Sequence, residues 1–299
     1  MHNHKVVCFG EVLWDILPSG AVPGGAPMNV AYHLYKLGKN PALITKTGTD
    51  ESGRELTNMF SGQGVCTDFF QADDKYQTGK VYASPNEDNE VVYDIVMPVA
   101  WDFIHWDNAF TGLLAEAKYF VFGSLAARNN VSKDTLFRLL EIAKNKVLDI
   151  NLRRPHYNRH IVEQLLGKAD FVKMNLAELE LIAGWFSHHT STEDRLKSIG
   201  DRFRLSKMVV TMGGDGALLS MNGETARHPG FKVEVVDTVG SGDAFLAGLL
   251  AQLSDNAGIE TALEFASGLG AFIATQRGAC PEYDTAEVKA LIQKNSIKM

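Results

Sequence analysis

The sequence has few cysteines, and none of them stand at metal-binding spacing. Cys8, Cys66 and Cys280 are its three cysteines, and their wide separation predicts neither a disulfide framework nor a zinc ribbon. No stretch approaches the roughly 20 consecutive apolar residues that a membrane-spanning helix needs, and the N-terminus has too short an apolar run for an export signal. These absences favour a cytoplasmic protein with no membrane partner.

The sequence also lacks an excess of basic residues. Asp and Glu number 36 against 29 Lys and Arg, which gives a formal net charge of −7. This charge disfavours nonspecific binding to nucleic acid, so we predict no nucleic-acid partner and expect any phosphate site to be built locally. The chain contains neither a GxxxxGK[ST] loop nor the HRD and DFG motifs of protein kinases, which excludes those two routes to phosphoryl transfer.

What is present is an alternation of short β-branched runs with helical patterns along most of the chain. It predicts an α/β fold in which a mostly parallel sheet lies between two helical layers. The predicted strands are residues 5–10, 42–45, 119–122, 146–150, 171–174 and 208–211. The predicted helices are residues 27–37, 132–143, 159–166, 175–183, 240–253, 259–275 and 285–293. No linker-like stretch interrupts the pattern, so residues 1–299 are expected to form a single domain.

One section departs from this alternation. Residues 79–84 and 90–97 are two strand-like runs joined by turn-forming residues at 85–89, which predicts a hairpin outside the main sheet. With an extended stretch near the N-terminus, the hairpin is expected to form a small β-strand lid from segments 12–23 and 78–103. A lid of this kind has unpaired edges, so we predict a homodimer that pairs two lids.

The most informative segment is VVDTVGSGDAF at 235–245, which passes from an extended apolar run through small residues into a helical pattern. The backbone N–H groups of Gly240, Ser241 and Gly242 can approach an anion closely, and the positive end of the helix dipole adds to the attraction. Asp243 lies in the first turn, where it could accept a proton from a hydroxyl that attacks a terminal phosphate. On spacing alone, a helix cap is the alternative role for Asp243.

The DTVGSGD run at 237–243 resembles the C-terminal signature of the ribokinase and phosphofructokinase-B-like sugar kinases, with Ser241 where the common form has Ala. The resemblance implies a ribokinase-like three-layer αβα sandwich with a small β lid. It also implies that ATP is the phosphate donor, that Asp243 is the catalytic base, and that the amides of Gly240, Ser241 and Gly242 form the anion hole.

A second match stands near the N-terminus, where GEVLWD at 10–15 is followed by GGAPMNVA at 24–31. Paired glycines let the backbone approach a ligand, and Asp15 and Asn29 offer hydrogen-bonding groups for vicinal hydroxyls. Without the resemblance, the glycines indicate only a turn and Asn29 a polar helix residue. The resemblance implies a sugar pocket formed by Asp15, Gly24, Gly25, Asn29, Arg153 and Asp243.

Two motifs resemble the nucleotide side of the family. The NLAE run at 175–178 resembles its NxxE element, which implies that Glu178 organises Mg²⁺ through water. The TMGGDG run at 211–216 resembles its glycine loop that supports the ATP phosphates. A helix cap and a hairpin turn are the respective alternatives. The residues implied in nucleotide binding are Lys173, Asn175, Thr211, Gly213, Gly214, Gly216, Gly240 and Gly242.

Two further runs complete the match. DINLR at 149–153 resembles the DxNxR run of fructokinase-like and 2-keto-3-deoxygluconate kinase-like members, which implies that Arg153 projects toward substrate or phosphate; a solvated Arg is the alternative. RGA at 277–279 resembles a turn that the family places near the nucleotide. With Asp237, this neighbourhood binds a monovalent cation in relatives, so K⁺ is implied as an optional cofactor.

We predict fructose as the sugar, because GGAPMNVA resembles fructokinases. The lid also carries Asp94 where acid-sugar kinases commonly place an arginine, and this carboxylate is expected to repel a carboxylated sugar. The enzymatic alternatives are a 2-keto-3-deoxygluconate kinase and a ribose or nucleoside kinase. A noncatalytic sugar or nucleotide sensor is the alternative from another class, although a sensor has no need of a base at Asp243.

Overall fold

The computed structural model describes residues 4–17, 20–85 and 91–296. Its strands form two sheets, one of nine strands and one of four. In chain order the strands are β1 Val6–Phe9, β2 Leu13–Leu17, β3 Gly20–Gly24, β4 Ala42–Gly48, β5 Phe70–Asp73, β6 Gly79–Pro85, β7 Val91–Ile95, β8 Tyr119–Gly123, β9 Lys146–Asp149, β10 Phe171–Asn175, β11 Lys207–Thr211, β12 Ala217–Met221 and β13 Glu224–His228.

The nine-stranded sheet has the order β13-β12-β11-β10-β9-β8-β1-β4-β5. All neighbours from β11 to β5 pair in parallel, whereas β12 and β13 extend the sheet in antiparallel pairs. The six strands predicted from the sequence all belong to the parallel part. The prediction of a mostly parallel α/β sheet is therefore confirmed.

Successive residues of the central strands point into two different cores, because side chains alternate across a strand. In β1, Val6 and Cys8 belong to one apolar cluster and Val7 and Phe9 to the other, and all four are fully buried. A strand buried on both faces must read as a continuous apolar run. That requirement explains why VVCF carries no polar residue.

Helices cover both faces of this sheet. The bounds are α1 Ala26–Lys36, α2 Glu51–Gly62, α3 Ala109–Glu116, α4 Asn130–Ile142, α5 Arg159–Leu166, α6 Leu176–Gly184, α7 Thr192–Phe203, α8 Ser241–Ser254, α9 Ile259–Ala274 and α10 Thr285–Ser296. Residues of α1, α2, α8, α9 and α10 fill the first cluster, and those of α3 to α7 fill the second. The result is the predicted three-layer αβα arrangement.

The four-stranded sheet has the order β3-β2-β6-β7 and lies beside the large one. Its Leu13, Val81 and Ile95 pack with Trp101 and Leu125 in a third, smaller apolar cluster. This cluster attaches the small sheet to the main body. The predicted connecting turn falls almost entirely on residues 86–90, which lie outside the described ranges.

Several elements were missed by the sequence patterns. Strands β5 and β13 carry few apolar residues, in the runs FQAD and ETARH, because each lies at an edge of the large sheet. Helices α2 and α7 are polar except for narrow stripes such as Leu56 and Phe60. Their starts are instead fixed locally, since Asp50 and Ser191 cap the first-turn backbone N–H groups.

Among the helices of the described ranges, none combines the length and the apolar character needed to cross a bilayer.

Candidate active site

The large sheet brings several sequence-predicted residues to one edge. Strand β1 is followed by Gly10 and Glu11, while β9, β10 and β11 end at Asp149, Asn175 and Thr211. Parallel strands place their carboxyl ends together, and ligands bind at that edge in open α/β sheets. The candidate site is built there.

The start of α8 is shaped by close packing at Gly240. Gly240 has a left-handed φ of 76°, and a Cβ at this position would lie 2.6 Å from the Cα of Ala279. Only glycine fits both conditions. The backbone N–H groups that follow belong to the first helical turn, where the helix dipole is positive. The Ser241 N–H donates to the Thr238 carbonyl oxygen at 3.2 Å. Of the predicted donors, the N–H groups of Gly240 and Gly242 are therefore the ones suited to an anion.

Asp243 lies in this first turn and faces the N-terminal part of the chain. The Asn29 side-chain Nδ2 donates a hydrogen bond of 2.8 Å to Asp243 Oδ2. Burial raises the pKa of Asp243 to about 6, and the charge of Asp149 adds to this, while Lys173, the Asn29 bond and Arg153 act in the opposite direction. The carboxyl group is thus a stronger base than an exposed aspartate.

The predicted sugar-side residues lie around the same point. The Asp15 carboxylate packs over Gly24, where any Cβ would overlap its Oδ2. Gly25 precedes α1 with a φ of 117°, and a Cβ there would lie 2.5 Å from the carbonyl oxygen of Glu11. Burial raises the pKa of Asp15 to about 6, against the lowering effect of Arg153. The two glycines thus let the segment after β3 approach both Asp15 and Glu11.

Glu11 is a site residue that sequence reasoning missed. It is 2% exposed, and its Oε2 has no hydrogen-bond partner among the described residues. Burial raises the pKa of Glu11 to about 7, the charge of Asp243 contributes to the rise, and Arg153 opposes it. In the sequence, Glu11 could have been identified by its position directly after Gly10, in the same GEVLWD run as Asp15. A carboxyl group in this position adds to the negative charge around Asp243.

Lys173 supplies a buried positive charge beside the anion pocket. Its Nζ donates to both carboxylate oxygens of Asp149 at 2.9 Å, and a Cβ at Gly242 would lie 3.2 Å from the same Nζ. Burial lowers the pKa of Lys173, but the carboxylates of Asp149, Asp243 and Glu178 outweigh burial and the net pKa is raised. The ammonium group therefore stays charged next to the amides of α8.

Asn175 and Glu178 form a reciprocal helix cap. The Asn175 side chain accepts from the Glu178 backbone N–H, and the Glu178 carboxylate accepts from the Asn175 and Leu152 N–H groups, each at 2.8–2.9 Å. This is the capping alternative of the sequence pattern. Burial, then Asp149, raises the pKa of Glu178, and Lys173 acts against them. Within the described ranges, no three or more His, Cys, Asp or Glu side chains group around a metal-sized position.

The remaining residues predicted to support the nucleotide lie at the end of β11 and in the turn that follows it. Thr211 ends β11, and Gly213, Gly214 and Gly216 belong to the turn that joins it to antiparallel β12, so the hairpin alternative holds there.

Asp237, the residue predicted near a monovalent cation, accepts from the Val239 and Gly278 backbone N–H groups at 3.0 Å. The Asp237 carboxylate therefore ties the loop before α8 to the turn at 277–279.

Arg153 acts on the site through its charge, whereas Asp94 lies on the far face of the small sheet. Arg153 is exposed on the loop after β9, and its positive charge lowers the pKa of each of the three carboxyls at 11, 15 and 243. Asp94 lies opposite Tyr82 in the small sheet, on the face away from the Asp15–Val81–Ile95 row. Side chains alternate between the two faces of a strand, so Asp94 and Asp15 lie on opposite faces of the small sheet. The expectation that Asp94 repels a carboxylated sugar stays a prediction.

Comparison with known proteins gives this site its class. A family model described as pfkB family carbohydrate kinase matches residues 19–286. Fructokinase-1 of Zea mays is 31% identical to the chain over 319 residues, covering 97% of this chain and 98% of that protein. The site is thus that of a sugar kinase, an enzyme that transfers a phosphate group to a carbohydrate. The chain belongs to the pfkB family of carbohydrate kinases.

Solved structures agree on the fold. The fructokinase of Vibrio cholerae O395, in a form with fructose, ADP and calcium ion bound, superposes with a TM-score of 0.83 at 26% identity, covering 97% of this chain and 99% of that one. The ATP-bound fructokinase of Xylella fastidiosa gives a TM-score of 0.87 at 24% identity, covering 98% and 99%. The ribokinase-like fold expected from the sequence is confirmed.

The backbone at Gly25 gives a testable prediction. Gly25→Ala is expected to lower the free energy of unfolding by about 2 kcal/mol or more, because its φ of 117° strains any residue with a Cβ and the Glu11 carbonyl occupies the space. Urea unfolding measures the change. Gly112→Ala is the matched control, since Gly112 lies in α3 with open space around it, and it should gain up to about 1 kcal/mol. A Gly25→Ala protein as stable as the wild type would contradict this geometry.

Proposed function

We propose that this carbohydrate kinase is a fructokinase, which transfers the γ-phosphate of ATP to a primary hydroxyl of fructose with Asp243 as the catalytic base. The observation that carries the proposal is the hydrogen bond from Asn29 to Asp243. It connects α1, which follows the paired glycines of the sugar side, to the first turn of the helix whose amides suit a phosphate. A base belongs at such a junction, because it must reach both the hydroxyl and the phosphate.

The reaction follows from this arrangement. The ionised Asp243 accepts the proton of the sugar hydroxyl while the hydroxyl oxygen attacks the γ-phosphorus in line and the bond to ADP breaks. The backbone N–H groups of Gly240 and Gly242 and the Lys173 ammonium stabilise the negative charge on the transferring group. Asp15, Asn29 and the backbone at Gly24 and Gly25 hold the sugar, and Arg153 offsets the charge of the surrounding carboxylates.

Mg²⁺ and a monovalent cation are the cofactors we propose besides ATP. Each Glu178 oxygen that accepts one backbone N–H still has a lone pair for a water molecule, and Mg²⁺ keeps several waters in such sites. Bound Mg²⁺ would neutralise charge on the ATP phosphates. Asn175 and the 211–216 turn would support the nucleotide, and the carbonyls near Asp237 and the 277–279 turn would hold K⁺.

Fructose is favoured by sequence similarity, both of one motif and of the whole chain. The GGAPMNVA run at 24–31 resembles fructokinases, and the Zea mays relative named above is a fructokinase. Asp94 lies on the other face of the small sheet from Asp15, and Arg153 is available to bind the carboxylate of 2-keto-3-deoxygluconate. A 2-keto-3-deoxygluconate kinase is therefore the first alternative. A ribose or nucleoside kinase is the second alternative.

The catalytic role of Asp243 gives the central prediction. Asp243→Asn should lower kcat by about 10²- to 10⁴-fold, the usual contribution of a general base, in a coupled assay of ADP release with fructose, ribose, 2-keto-3-deoxygluconate and nucleosides. Fructose should give the highest kcat/KM with the wild type. Asp201→Asn, an exposed site on α7, should leave turnover unchanged. Turnover that survives Asp243→Asn would refute the mechanism, and a wild type inactive on every acceptor would favour the sensor.

The pH dependence of kcat tests the same group. Since Asp243 must be ionised and burial raises its pKa to about 6, kcat should fall as the pH drops below about 6. The Asn29 bond lowers this pKa, so Asn29→Ala should move the acid limb to higher pH by about 0.5 or more. Asn58→Ala, on the exposed surface of α2, should leave the limb in place. An acid limb that Asn29→Ala leaves where it was would contradict the assignment.

We further propose that the small sheet is a lid on a single domain and that it forms the homodimer contact. Strands β3 and β7 are its edges, and Tyr82, which is 44% exposed, lies on the face turned away from the Trp101 cluster. A lid that covers the sugar would exclude water and suppress hydrolysis of ATP. Pairing two lids would bury Tyr82 and the edges.

The dimer is tested by sedimentation. At micromolar concentration the wild type should sediment as a dimer, and Tyr82→Glu should shift it to a monomer, because a charge would be buried at the contact. Ile142→Glu is the matched control: Ile142 is 40% exposed on α4, away from the lid, and the variant should stay dimeric. A monomeric wild type, or a dimeric Tyr82→Glu protein, would refute the lid contact.

For the compartment we propose the cytoplasm. Cys8, Cys66 and Cys280 are all free thiols, which fits a reducing environment.

A further inference from the structure

One face of α1 is bonded to the short segment that follows the 277–279 turn. Asn29, Tyr32, His33 and Lys36 recur at spacings of three and four residues, so they share a side of the helix. All four contact residues 279–283, a stretch about 250 positions further along the chain. The sugar-side helix and the turn near the anion pocket are thus joined along their length.

His33 makes the innermost of these contacts. It is 0% exposed, its Nε2 lies 2.9 Å from the Ala279 carbonyl oxygen, and its Nδ1 lies 3.0 Å from the Tyr283 hydroxyl. The other contacts are closer to the surface: Tyr32 donates to the Pro281 carbonyl at 2.8 Å, and Lys36 pairs with Glu282 at 2.9 Å. His33 alone among them bonds the backbone of the turn itself.

The tautomer of His33 follows from its partners. Burial lowers the pKa of His33 to about 4, against the raising effect of the Ala279 bond, so the ring is neutral and carries one N–H. A carbonyl oxygen only accepts, which requires that Nε2 carry the proton and donate to Ala279. Nδ1 then accepts from the Tyr283 hydroxyl. The ring therefore connects a fixed donor and a fixed acceptor.

Ala279 is the residue that packs against the anion pocket. A Cβ at Gly240 would lie 2.6 Å from both Cα and Cβ of Ala279, so the position of Ala279 limits where Gly240 and the first turn of α8 can lie. The neighbouring Gly278 is tied to Asp237 at 3.0 Å. The 277–279 turn is thus held on one side by the loop before α8 and on the other by His33.

We propose that His33 is a positioning residue for phosphoryl transfer: by donating to the Ala279 carbonyl, it holds the 277–279 turn against Gly240 and so places the backbone N–H groups of α8. This inference rests on the proposed roles of Asp243 and those N–H groups. Because His33 lies one helical turn after Asn29, the helix that contacts the sugar side also fixes the phosphate pocket. Small displacements of positioned groups cost large factors in rate.

Two amide variants separate the two bonds of His33. The amide nitrogen of Gln reaches about as far as Nε2, so His33→Gln keeps a donor to Ala279 and loses the acceptor for Tyr283. Asn is shorter, so His33→Asn keeps an acceptor near Nδ1 and loses the donor to Ala279. We expect His33→Asn to lower kcat by about 10- to 100-fold and His33→Gln by less than about threefold. The KM for sugar should change by less than about threefold in both.

Tyr283→Phe serves as the control that leaves the Ala279 bond in place. It removes the hydroxyl donor to Nδ1, and kcat should stay within about threefold of the wild type. The melting temperature of each variant reports the structural contribution separately. If Tyr283→Phe lowers kcat as much as His33→Asn, or if His33→Asn and His33→Gln lower kcat equally, the bond to Ala279 does not position the pocket and the inference is overturned.

Binding of a non-hydrolysable ATP analogue, measured by calorimetry, gives a readout that does not need turnover. His33→Asn should weaken this binding by about tenfold, and His33→Gln by less than about threefold. Turnover that survives Asp243→Asn would refute the proposed function. The analogue affinities of the two His33 variants would still test the role of His33 in that case. Equal analogue affinity in His33→Asn and wild type, with Asp243→Asn inactive, would overturn the His33 inference alone.

Discussion

The arrangement of the candidate site depends on the hydrogen bond between Asn29 and Asp243, which joins residues 214 positions apart. Asn29 owes its place to the close approach of Gly25 to Glu11, and Asp243 owes its place to the packing of Gly240 on Ala279. Each partner is thus fixed by a glycine that no other residue replaces without strain. The amide of Asn29 is itself oriented, since its Oδ1 accepts from the Cys280 thiol at 3.3 Å and its nitrogen is left to face the carboxylate.

The site concentrates negative charge in a protein that is already negative overall. Glu11, Asp15 and Asp243 all have pKa values raised by burial, and Lys173 and Arg153 are the cations that moderate them. A triphosphate would add further negative charge, and backbone N–H groups such as those at the start of α8 attract an anion through their dipoles without needing a counter-charge of their own. The net charge of −7 is therefore compatible with a phosphate site, because the favourable potential is local.

Much of this arrangement could be predicted from the sequence. Strands buried on both faces, such as VVCF at 6–9, have an unambiguous apolar pattern, and the DTVGSGD run marked the start of α8. The expected sugar side came instead from the resemblance of GGAPMNVA at 24–31 to the family, since its glycines alone indicate only a turn. The apolar strands and the start of α8 depend on the local chain, where spacing and residue type carry the information.

The remainder depended on which distant segments meet. Nothing around Lys173 in the sequence indicates that Asp149 is its partner, and Glu11 has no local sign of burial. The face of the small sheet on which Asp94 lies cannot be read without the strand register, because a shift of one residue moves a side chain to the other face. The face of α1 from Asn29 to Lys36 likewise shows only helical spacing until residues 279–283 are placed against it.

The residues predicted to bind sugar are distributed over the two sheets, and this has a mechanical consequence. Asp15 is carried by β2 of the small sheet, whereas Asn29 and Asp243 belong to helices that pack on the large one. The full set of polar groups exists only while Leu13, Val81 and Ile95 stay seated on Trp101 and Leu125. The apolar seam that attaches the small sheet is therefore also what assembles the candidate pocket, so a packing defect within this seam would show itself as lost recognition.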